Sequence, residues 1–133
     1  MKNGKARSLY GLLILALIAG TWACAHSPIG KAVQVASAQK QVVEASAVEI
    51  AKLHFQGKVP DAVYGQAKDA YGKWAVSETA LAKTLADWKR IGDAQSSQRL
   101  SIAIQQAATL AKTYLDAIGQ FVDLNALRQK LNL

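Results

Sequence analysis

Residues 60–92 read PDAVYGQAKDAYGKWAVSETALAKTLADWKRIG, and their spacing decides the fold class. Val63, Ala67, Ala70, Tyr71, Trp74, Leu81, Leu85 and Trp88 recur at three- and four-residue steps, which gathers them on one face of an α-helix. Pro60 and Asp61 supply the start: a proline suits a helix's first turn, and a carboxylate suits its positive pole. Lys89, Arg90 and Gly92 supply the stop, with positive charge for the negative pole and glycine for a left-handed cap. Asp69 to Lys73 is an acid-to-base i,i+4 pair and Lys83 to Asp87 is its reverse, both on the polar side.

The flanking segments follow the same rule. Ser27 and Pro28 read as an N-cap and a first helical position. Behind them Ile29, Ala36, Val43 and Ile50 recur at sevens, with Ala32, Gln39, Ser46 and Leu53 beside them, until Gln56-Gly57-Lys58. Asp93 suits the cap of a third helix, whose stripe runs Leu100, Ile104, Ala107, Ala111, Tyr114, Ile118 and Phe121. Asp123 interrupts it, and Leu124, Leu127 and Leu131 form a last amphipathic turn or two. No stretch alternates as a half-buried strand would.

The spacing predicts helices over 29–56, 60–91 and 94–122, with a short segment over 124–131. Long helices joined by short links pack as antiparallel neighbours, each burying its stripe against the others. The expected fold is all-α: an up-down-up antiparallel three-helix bundle over residues 32–133, preceded by an N-terminal signal or anchor segment. In the row Tyr71, Trp74, Leu81 and Trp88, core filling outweighs an exposed aromatic seam, because aromatics at core spacing pack inward.

The 133 residues hold one cysteine, Cys24, at the end of an apolar N-terminal stretch. Lys2, Lys5 and Arg7 make a positive n-region, Leu9 to Ala19 an apolar h-region, and small residues surround the cysteine at Ala23 and Ala25. With Thr21-Trp22-Ala23-Cys24 the segment resembles the signal peptide of bacterial lipoproteins, whose usual ending is Leu-(Ala/Ser)-(Gly/Ala)-Cys. Ala23 matches that pattern; Trp22 is bulkier and Thr21 less aliphatic than it prescribes. The resemblance implies a signal over 1–23, lipidation of Cys24 and a short tether over 24–31. Because Ala25 is not aspartate, it also implies retention on the periplasmic side of the outer membrane. Two other readings stay open. Cleavage after Ala23-Cys24-Ala25 would release a soluble secreted chain, and an uncut segment of 17 largely apolar residues, Leu9 to Ala25, would serve as an N-terminal membrane anchor.

Three of the 16 basic residues precede Cys24, which leaves 13 against 9 acids, a balance of +4. These charges alternate in sign and form no basic block, which argues against nucleic-acid binding. No cysteine follows Cys24, so the domain relies on packing alone.

Catalysis needs converging groups, and few are present. His26 and His54 are the only histidines, and His54 falls in a helix's last turn, where it suits the dipole. No H-E-x-x-H, C-x-x-C-H, P-loop or G-x-S-x-G occurs, and no glutamate precedes a histidine by three. The expectation is therefore no enzyme, with no catalytic, metal or cofactor residues. A non-catalytic structural or adaptor module of the envelope, meeting an unidentified protein partner, is the leading functional expectation. A small periplasmic binding protein for a lipid or other apolar ligand is the alternative, and self-association into a larger helical assembly a further one.

Lipid at Cys24 would hold the start of helix one near the membrane. An up-down-up order then brings Lys89 and Arg90 to the membrane-near end, where anionic headgroups favour each cation by about 1 kcal/mol. The same order leaves Leu124, Leu127 and Leu131 at the far end, either as a partner-facing patch or folded back over the bundle's open end.

Overall fold

The computed structural model describes residues 27–133. The segment expected to be a signal or an anchor, and Cys24 with it, lies outside them. The described elements are all helical: α1 Ser27–Phe55, α2 Asp61–Ile91, α3 Ala94–Ile118 and a short α4 Leu124–Lys130. Because α1 begins at Ser27, residues 27–31 of the expected tether are already helix.

Local chemistry accounts for the boundaries. Gly57 takes φ +72°, its N–H meets the His54 carbonyl at 3.0 Å and the Lys58 N–H meets the Leu53 carbonyl at 3.0 Å. This is the paired hydrogen bonding of a Schellman cap, and it closes α1. Gly92 at φ +68° closes α2 with the single bond of the simpler left-handed cap, its N–H donating to the Trp88 carbonyl. The Asp93 carboxylate then accepts the Ser96 N–H at 2.7 Å, satisfying one of the orphan donors that open α3.

The third helix departs from the expected range. It ends at Ile118, whose carbonyl accepts from both Phe121 and Val122, at 2.9 and 3.1 Å. Phe121, placed on the α3 stripe by its spacing, thus lies in a turn, half-buried against the core. Asp123 opens α4 by accepting the Ala126 N–H at 3.0 Å.

The helices pack as a bundle around two apolar clusters. One joins Ile29 and Ala32 of α1 to Leu81 of α2 and to Leu100, Ala103, Ile104 and Ala107 of α3. The other joins Val42, Val43 and Ile50 to Ala67 and Trp74, and to Ala111, Tyr114, Leu115 and Ile118. Trp74, only 2% exposed, fills the second cluster, with Tyr71 tilted against it at 5.4 Å between ring centroids. The most extensive helix contact is α2 on α3; α1 rests chiefly on α3 and touches α2 lightly.

Candidate functional site

Between the two clusters the α2 stripe steps from Trp74 to Leu81, and Glu78 occupies the helical position between them. Glu78 is half-buried, and that burial raises its pKa. Lys40 on α1 opposes the shift and Glu44 on α1 adds to it. This carboxyl is a polar break in the core, legible in the sequence only as a gap in the apolar row.

Deeper in the second cluster the Tyr114 hydroxyl is buried and, among the described residues, has no hydrogen-bond partner of good geometry. Desolvation pushes its phenol up; the Ser46 hydroxyl beside it offsets part of that, and Tyr71 and Tyr64 add to it. Ser46 spends its own proton on the Val43 carbonyl at 2.8 Å.

At the α1–α2 turn the His54 Nε2 lies 2.7 Å from Asp61 Oδ1, and the imidazole stacks on Tyr64 with centroids 4.0 Å apart. The Lys68 ammonium lies 5.6 Å from the centre of the Tyr64 ring. The contact ties the last turn of α1 to the first of α2, a staple between two helix ends. No group of three or more His, Cys, Asp or Glu able to hold a metal converges among the described residues.

The expected surface residues fall at opposite ends of the bundle. Lys89 and Arg90 are exposed in the last turn of α2, where Arg90 Nη2 lies 3.6 Å from Asp87 Oδ1. Asp87, assigned to Lys83 by spacing, meets Arg90 instead. Leu124, Leu127 and Leu131 are half-buried and pack against the second cluster, each keeping some exposed surface.

Among the large apolar side chains that no stripe includes and that stand in solvent are Val48 at 70%, Phe55 at 89%, Val76 at 73% and Ile102 at 48% exposure. Val76 helps line an open groove between α2 and α3, with Ala80, Gln106, Thr109 and Leu110 along its walls. Ile102 stands one turn before Gln106 on the same face of α3. The groove is largely uncharged, with Lys73 at its edge. Its walls present alkyl, amide and hydroxyl groups. The chain matches no described protein family, no curated protein and no solved structure. No helix among the described residues is long and apolar enough to cross a membrane.

Proposed function

We propose that this chain is a bacterial envelope lipoprotein anchored through Cys24. Its up-down-up antiparallel three-helix bundle would be a non-catalytic structural or adaptor module that presents helix faces to a protein partner. The observation that carries the adaptor reading is the exposed pair Val76 and Ile102 beside the α2–α3 groove. Apolar side chains left in water on two neighbouring helices are the raw material of an interface. The antiparallel order is supported by the cluster that joins the start of α1 to the end of α2 and the start of α3. The exposed sides of Leu124, Leu127 and Leu131 are the second candidate partner surface.

Isolation of the intact lipidated protein from its own envelope tests this reading. Replacing Val76 and Ile102 by serine should abolish a reproducible partner while leaving the melting temperature unchanged. Cys24→Ser should leave the precursor uncut or move the protein out of the membrane fraction. Partner recovery that ignores both serines would overturn the groove assignment, and unchanged mass and fractionation of the Cys24 variant would overturn the anchor.

The same groove, walled by Val76, Ala80 and Leu110, favours a second reading as a periplasmic carrier of a lipid or other apolar ligand. In that case added fatty acid raises the melting temperature by mass action. A second copy seated on the groove is the remaining alternative, read directly by sedimentation.

A further inference from the structure

The end of the bundle formed by the α2–α3 turn and the start of α1 differs from the rest of the surface. Ile91, the last residue of α2, is 52% exposed immediately before the left-handed Gly92. Three helices bring exposed cations to this end: Lys31 on α1, Lys89 and Arg90 on α2, and Arg99 on α3. They share one end because Ile29 and Ala32, the neighbours of Lys31, pack in one cluster with Leu100, the neighbour of Arg99, and with Trp88, the neighbour of Lys89.

The two acids of this end are both engaged. Asp93 is held by the Ser96 N–H, and Asp87 lies beside Arg90 in a pair whose side chains are 45% and 74% exposed. A pair so exposed is weak and yields readily to competing anions. At the opposite end Phe55 is more exposed still, but acids are interleaved with the cations there, as in Lys112–Asp116, and Asp61 lies beside His54.

From this charge complementarity we infer that the α2–α3 end is a docking surface for an anionic lipid bilayer, with Ile91 entering the headgroup region and Lys31, Lys89, Arg90 and Arg99 around it. A single protruding aliphatic side chain ringed by cations matches the layering of such an interface, apolar below and anionic above. The inference deepens the envelope reading of Lys89 and Arg90, but rests on the geometry of this end and not on lipid at Cys24.

The experiment uses the chain from His26 onward, which leaves out the apolar stretch and holds no native thiol, with one new thiol, from Ile91→Cys, carrying an environment-sensitive fluorophore. On phosphatidylglycerol-containing vesicles the emission should shift to the blue. The shift should disappear on pure phosphatidylcholine vesicles and in about 0.5 M salt, where screening is nearly complete. Replacing Lys89 and Arg90 together by glutamine should weaken the response about 25-fold, roughly five-fold per cation. The same label placed through Phe55→Cys should stay unshifted. An equal shift on neutral vesicles, at position 55 or with soluble polyphosphate would overturn the inference, as would no shift at all. Since lipidation is absent from these variants, failure of the anchor assignment leaves this result standing, and the reverse also holds.

Discussion

The Trp88 indole Nε1 donates to the Ser97 hydroxyl at 3.1 Å, joining the last turn of α2 to the first turn of α3 across Gly92 and Asp93. The bond sits where the two helices with the most extensive mutual contact reverse direction, so it fixes how their stripes enter the core. Ser97→Ala should destabilise the fold by about 1 kcal/mol, the net worth of one partly buried hydrogen bond. A double-mutant cycle with Trp88→Phe, followed by thermal circular dichroism, should recover a coupling of that size. Additive effects would show that the bond contributes nothing.

Leu81 is 7% exposed and Ile104 is 3% exposed within the same cluster. Replacing either by alanine should cost roughly 2–5 kcal/mol, a large share of the stability of a domain of this size. Ile102→Ala, at an exposed site two residues away, should stay within about 0.5 kcal/mol. Chemical denaturation of the three variants checks the contrast, and equal losses would refute the assignment of faces.

Two carboxyls should respond to pH with opposite signs. The pKa of Glu78 is raised in the folded state, chiefly by burial, so its contribution is favourable below the ordinary glutamate range and is lost as pH rises through the raised value. Glu78→Gln should therefore be more stable than the parent at neutral pH, with the advantage fading near about pH 4. The pKa of Asp93 is lowered by the Ser96 N–H and hydroxyl, so its contribution is present above the ordinary aspartate range and lost as pH falls through the lowered value. Asp93→Ala should lower the melting temperature at neutral pH and lower it less in acid. Denaturant midpoints across this window decide both signs.

Tyr114 places a large ring in the core with a hydroxyl that finds no good partner there. Tyr114→Phe should be neutral or stabilise by about 1 kcal/mol, since it removes only an unsatisfied group, whereas Tyr114→Ala should cost about 3–5 kcal/mol through its cavity. A clear loss of stability in the phenylalanine variant would show that the hydroxyl is satisfied in solution.

Several features were legible from neighbouring residues alone. The helix ends at Gly57 and Gly92 and the cap at Asp93 depend on φ and on hydrogen bonds spanning three to five residues, so glycine and aspartate in those contexts announce them. The buried positions of α2 and α3 follow from a period of 3.6, which holds whatever the helix meets. Even the early end of α3 has a local cause: the Ile118 carbonyl takes two donors and Asp123 begins the next cap.

Only tertiary structure decided which surfaces those stripes met. Periodicity orders residues around one helix but carries nothing about the width or placement of its neighbour. Hence α1 leans on α3 more than on α2, and Glu78 falls half inside the core. The α4 leucines show the same division. Their spacing made an apolar face certain, and the packing of the second cluster determined that this face turns largely inward. Burial is a property of pairs of surfaces, and one chain segment specifies only its own half.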